Sequence, residues 1–162
     1  MLIRKETPAD IPAIHFVVRN AFDKDGEPLL VRDLRESGSL CLSLVAADGD
    51  AIIGHIAFSP MSFDGTAGLA PLAVTPAQQH QGIGRALVMA GIAEMKSLGF
   101  GALFVLGSEK YYPRFGFKPA KQFDIRCVYP DSENHFFAME LKPGALDGMS
   151  GIIHYAPEFG KL

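Results

Sequence analysis

The chain has 162 residues, 48% hydrophobic and 20% charged, with a formal net charge of −3. That length suits one domain with a sizeable core, and the lack of a lysine/arginine cluster argues against a nucleic-acid surface. No apolar run is long enough for a bilayer, Met1–Glu6 lacks a signal peptide's apolar stretch, and Cys41 and Cys127 form neither a metal spacing nor a disulfide framework, which points to a reducing cytoplasm.

Leu2–Lys5 alternates weakly and predicts a first strand. Thr7-Pro8-Ala9-Asp10 reads as a helix start, with Thr7 as cap and Pro8 in the first helical position. Ile11, Ile14, Val17, Val18 and Phe22 then give an apolar helical face. Asp23–Pro28 breaks the pattern as a solvated turn, its glycine and acids not matching a calcium loop. Leu29, Leu30, Val31 and Leu34 predict a second short helix that ends near Ser37-Gly38.

Strands are predicted over Leu40–Ala47 and Ala51–Met61, joined by a tight turn at Asp48-Gly49-Asp50. Another turn at Phe63–Thr66 leads to the short apolar run Leu69–Val74, a buried strand that Thr75-Pro76 ends. Gln79-His80-Gln81-Gly82-Ile83-Gly84-Arg85 follows, and then a helix whose apolar side carries Ile83, Leu87, Val88, Ile92 and Met95. Gly99 supplies the stop. Later strands are predicted at Leu103–Leu106, Phe123–Val128, His135–Leu141 and, as a final edge, Gly151–Tyr155. Ser108–Tyr112 reads as a short helix ended by Pro113. The meander followed by strand–helix–strand requires a mixed α/β sheet, mostly antiparallel, in which the Leu69 and Leu103 strands run parallel.

A strand, a glycine-bearing turn and a helix make an anion site. The first N–H groups of a helix lack intrahelical acceptors and carry partial positive charge, and glycines let a phosphate reach the backbone. Arg85 adds a charged donor at the rim. The spacing Gln79-x-x-Gly82-x-Gly84 matches neither a dinucleotide fingerprint nor a P-loop. By themselves Gly82 and Gly84 fit a plain strand-to-helix turn equally well.

This pattern resembles the pyrophosphate loop of the GNAT superfamily of N-acetyltransferases. Pro71-Leu72-Ala73-Val74-x-Pro76 looks like the family's fourth strand and Leu103–Leu106 like its fifth. Tyr111-Tyr112-Pro113-Arg114-Phe115-Gly116-Phe117 is similar to its Tyr-x-x-x-Gly-Phe signature. The resemblance spans most of the chain and implies one domain over residues 1–162, with acetyl-CoA as cosubstrate and no metal. It assigns the diphosphate to Gln79, Gln81, Gly82, Ile83, Gly84 and Arg85, and the pantetheine arm to backbone amides of Leu72, Ala73 and Val74. The Val74 N–H is suited to polarising the thioester carbonyl.

Tyr112, four residues before Gly116, is the implied general acid, with Tyr111 leaving a one-residue ambiguity. A phenol stays protonated at neutral pH and can donate to a departing thiolate. The base is open between Glu27, between the first two helices, and His55, in mid-strand. Glu27 also reads as a helix-cap acid and His55 as an interior histidine. Neither cysteine has an identifiable partner histidine, so direct transfer to a primary amine of a small molecule or peptide is expected. A non-catalytic acyl-CoA-binding or regulatory module is the alternative. The apolar strand at Phe136–Leu141 offers an edge for a homodimer.

Overall fold

The computed structural model describes residues 1–162. Its elements in chain order begin with β1 (Leu2–Lys5), α1 (Ile11–Phe22), α2 (Gly26–Ser37), β2 (Leu42–Asp48), β3 (Ala51–Pro60) and β4 (Thr66–Val74). Next come α3 (Ile83–Ser97), β5 (Ala102–Leu106), β6 (Lys118–Pro119), β7 (Ile125–Cys127), β8 (Phe136–Glu140) and β9 (Gly151–Ile153). Seven strands form one mixed sheet in the order β1-β2-β3-β4-β5-β8-β6, with β4 and β5 parallel as the crossover through α3 demands. No helix is long and apolar enough to cross a membrane.

The helices divide between the faces. Ile83, Leu87, Val88 and Met95 of α3 pack on Leu44, Ile56, Phe58 and Leu103 of the sheet. This approach is close because Gly91 faces Phe58, whose ring lies 2.6 Å from where a Cβ would sit. On the opposite face Ile14, Val17 and Val18 of α1 meet Val31, Val45 and Ala73. The C-terminal tail covers the same side, where Phe159 packs with Leu30 and Leu34 of α2.

Four expectations are corrected. First, α2 starts at Gly26, so Pro28 lies in its first turn, where the missing N–H costs no intrahelical bond. Second, Pro113 does not end a helix. It opens a 3₁₀ turn over Tyr112–Phe115, because its fixed φ is preorganised for a first helical position. Third, β9 pairs with β7 in a separate two-stranded parallel sheet instead of edging the main one. Fourth, β8 is not the edge strand of the sheet: β5 pairs along its length and β6 covers Phe137 and Ala138 on the other side.

β4 sets up the site. Its register with β3 slips between Ile56 and Phe58, opposite the Ala70-Pro71 step, and such a bulge bends a strand. Pairing with β5 covers only Thr66, Ala67 and Gly68. Beyond Gly68 the two parallel strands part, and β4 continues to Val74 with its β5-facing side unpaired.

A buried polar chain crosses the α1 side of the sheet. Arg35 donates two hydrogen bonds to Glu6, at 2.8 and 2.9 Å. Ser43 donates to Glu6 and lies 2.7 Å from His55 Nε2. Burial alone would raise the Glu6 carboxyl, but the bonds from Arg35 and Ser43 outweigh it and hold the group low. Burial lowers His55 from 6.5 to about 4. Unfolded chains therefore bind the extra proton between those two values, and stability falls as pH drops through that window. The full loss is of order 3 kcal/mol. Denaturant melts of the wild type should lose stability from pH 7 to 4.5, and His55→Gln should flatten the profile. Parallel profiles for the two proteins would contradict the buried neutral imidazole.

Candidate active site

Where β4 leaves β5, a cleft of about 570 Å³ opens. One wall is Leu69–Leu72 of β4; the other is Leu106-Gly107-Ser108 at the end of β5, with Tyr111 and Tyr112. The remaining wall comes from distant parts of the chain: Phe22 and Glu27 from α1 and α2, Tyr129, and Tyr155 and Phe159 of the tail.

The edge of β4 alternates. Thr75 donates to the Ile53 carbonyl at 2.9 Å, and His55 stands opposite Ala73 in the same ladder. Strand alternation therefore turns the Ala73 amide toward β3, and those of Leu72 and Val74 toward the open side. Of the three residues expected to offer amides to a pantetheine arm, Leu72 and Val74 face the cleft side and Ala73 does not. The Val74 carbonyl already accepts a bond from Gln79 Nε2 at 3.1 Å.

The loop after β4 turns sharply. His80 takes φ +65° and Gly82 φ +86°, both left-handed, which brings the chain round into α3. Gly82 is the helix cap, at a conformation that favours glycine. The N–H groups of Gln81, Gly82, Ile83, Gly84 and Arg85 find no acceptor in the protein. The first hydrogen bond of the helix runs from Ala86 to Gly82. Five unclaimed donors at the positive end of a fifteen-residue helix make a cradle suited to an anion. Beside it Arg85 and Arg114 border a recess floored by Met89, Ile92 and Phe115.

Two tyrosines hold different places. The Tyr111 hydroxyl lies 3.1 Å from the Cβ position of Gly84, against the first turn of α3, while Arg114 stacks 4.8 Å from its ring. Tyr112 lies across Gly107, its ring only 2.4 Å from where a Cβ would be, so the residue after β5 must be glycine for this ring to fit. Burial first, then the neighbouring Tyr111, raise the Tyr112 phenol well above its ordinary value of 10. Burial also raises Tyr111, with Arg114 working against it.

Of the two candidate bases, only Glu27 lines the cleft. It is 8% exposed; Oε1 pairs with Lys24 Nζ at 3.1 Å, and Oε2 is buried without a partner. His55 is fully buried, bonded to Ser43, and stands outside the cleft wall. Burial keeps its imidazole neutral, and the structure does not bring it to the cleft with the other candidate. Sequence reasoning missed Phe22, Gly107, Tyr155 and Phe159 as cleft residues. Only the step from an apolar strand to Gly107 carried a local signal.

A splayed parallel strand pair, followed by a helix whose first amides are unclaimed, is a geometry suited to a phosphate-bearing carrier lying along an open strand edge. Residues 10–117 match the model of the acetyltransferase (GNAT) family, and the chain belongs to that family. It is 41% identical to the N-acetyltransferase YhbS of Escherichia coli K12 over 167 aligned residues, covering all of both chains. It is 38% identical to the N-acetyltransferase YjhQ of the same organism, over 78% of this chain and 75% of that one. The crystal structure of YhbS in complex with CoA superposes with a TM-score of 0.95, covering 99% of this chain and 92% of the other at 40% identity. A GNAT acetyltransferase from Brucella melitensis in complex with acetyl-CoA gives a TM-score of 0.83 at 34% identity, covering 98% and 97%.

Proposed function

We propose that the chain transfers the acetyl group of acetyl-CoA directly to the amine of an acceptor bound in the cleft. The observation that carries this reading is the set of unclaimed N–H groups from Gln81 to Arg85, placed beside the unpaired edge of β4. The cradle suits the diphosphate, with the Gln81 and Arg85 side chains at its rim and Gln79 bracing the Val74 carbonyl. Arg85 and Arg114 suit the remaining phosphate of the nucleotide end. Leu72 and Val74 offer their amides to the pantetheine arm as a neighbouring strand would, and the Val74 N–H is the donor for the thioester oxygen.

The amine nitrogen attacks the thioester carbon, its proton passing to Glu27 directly or through water. The carbon–sulfur bond then breaks, and Tyr112 gives its proton to the departing thiolate. The raised Tyr112 phenol keeps that proton available at neutral pH. No acyl-enzyme is needed. The free Cys41 and Cys127 suit a reducing cytoplasm. Calorimetry with CoA and acetyl-CoA, followed by thiol release on adding amines, tests the reading. Binding at or below about 100 μM with amine-dependent release supports it; no binding near 1 mM rejects it.

A further inference from the structure

We propose that the acceptor is a small arylalkylamine-type monoamine, its ammonium held by Glu27 and its apolar body by the aromatic wall. This rests on the acetyl-transfer reading and adds the substrate class. Beyond the strand edges, the cleft is bounded by Phe22, Leu30, Tyr129, Tyr155 and Phe159. Tyr155 packs on Phe159 with ring centroids 4.7 Å apart and on Tyr129 at 6.1 Å, so these rings form a continuous surface. Among the residues lining the cleft, Glu27 is the one with a charged side chain.

Its free oxygen is the second observation. Oε2 is buried and lacks any partner, a state that is costly for a carboxylate oxygen. Lys24 satisfies only Oε1, from the rim, its own side chain 64% exposed. An incoming ammonium completes the shell of Oε2 and gains from the flanking ring faces. A polyamine brings a second ammonium for which the cleft has no second side-chain carboxylate. An aminoglycoside brings more hydroxyls than Ser108 and the few phenols of the cleft can partner, at a cost in lost hydration. A peptide α-amine brings backbone groups with the same difficulty. What remains is one cation on an apolar body.

The test is thiol release from acetyl-CoA with phenethylamine, spermidine, kanamycin and a tripeptide with a free α-amine, alongside calorimetry of acetyl-CoA itself. Phenethylamine should exceed each of the others in kcat/KM by about thirtyfold or more. Glu27→Gln should raise the KM for phenethylamine about tenfold, beyond any fall in kcat, with acetyl-CoA affinity kept within about twofold. Phe22, 37% exposed, tolerates a polar replacement, and Phe22→Arg should also raise that KM by setting a cation on the wall. If spermidine, kanamycin or the tripeptide is preferred, if all four react equally, or if none reacts while acetyl-CoA binds, the substrate class is wrong and the coenzyme site stands. If Glu27→Gln leaves KM unchanged, the ammonium is not held there. If acetyl-CoA fails to bind, the acetyl-transfer reading itself falls, and this inference with it.

Discussion

Gly84→Asp is expected to abolish coenzyme A binding while the protein stays folded. Gly84 sits in the first turn of α3, among N–H groups that no protein acceptor occupies. An aspartate there sits favourably at the positive end of the helix, so the helix itself is not weakened. Its Cβ would lie 3.1 Å from the Tyr111 hydroxyl and 3.7 Å from Val74, which asks only a small shift of a side-chain end. The same carboxylate would compete for the cradle and repel a diphosphate at contact distance. The loss of affinity should exceed about a hundredfold, some 3 kcal/mol. Calorimetry with CoA, paired with a thermal melt, reads both halves. Wild-type affinity in a folded Gly84→Asp protein would contradict the placement of the diphosphate. Gly82→Asp should also lose binding, but at φ +86° it carries backbone strain as well, so it is the less clean variant.

Tyr112→Phe should lower turnover by about a hundredfold or more and leave donor affinity nearly unchanged. The ring that packs on Gly107 and Phe117 is retained, its centroid 5.9 Å from that of Phe117, so the melting temperature should hold. What goes is the proton for the thiolate. Tyr111→Phe is the control. Its hydroxyl lies against the first turn of α3 rather than at the end of β5, and its loss should affect donor affinity more than turnover. Full turnover in Tyr112→Phe would remove the general acid from this account.

The parts of the site legible in the sequence are those that one short stretch encodes. Gln79 to Gly84 declares a turn and a helix start within six residues, because each needs only local backbone properties. Tyr112 before Gly116 came from the family resemblance, which left Tyr111 as the alternative. The alternation of β4 was not: which amides face the cleft depends on register with β3, and that is set by a bulge opposite Ala70-Pro71. Long-range assembly hid the rest. Phe22, Tyr129 and the tail pair Tyr155 and Phe159 reach one wall from three separate segments, and no periodicity links them. His55 in mid-strand offered no sign of which face it takes. The fold places it with Ser43, Glu6 and Arg35, closed to solvent. Glu27 stayed ambiguous because a helix-cap acid and a cleft acid share one sequence position; burial of Oε2 beside the aromatic wall is a tertiary fact.

The proline errors share one cause. Pro28 and Pro113 were read as breaks, yet each falls in a first turn, where no intrahelical acceptor awaits its nitrogen. The parallel β4–β5 pair was inferred correctly from the crossover, and its early end at Gly68 is what opens the cleft.

The most direct measurement is a crystal structure of this chain grown with CoA. The account predicts diphosphate oxygens about 3 Å from the amide nitrogens of Gln81 to Arg85, and the pantetheine amides bonded along Leu72 and Val74. A coenzyme seated elsewhere, with those five amides still unoccupied, would contradict it.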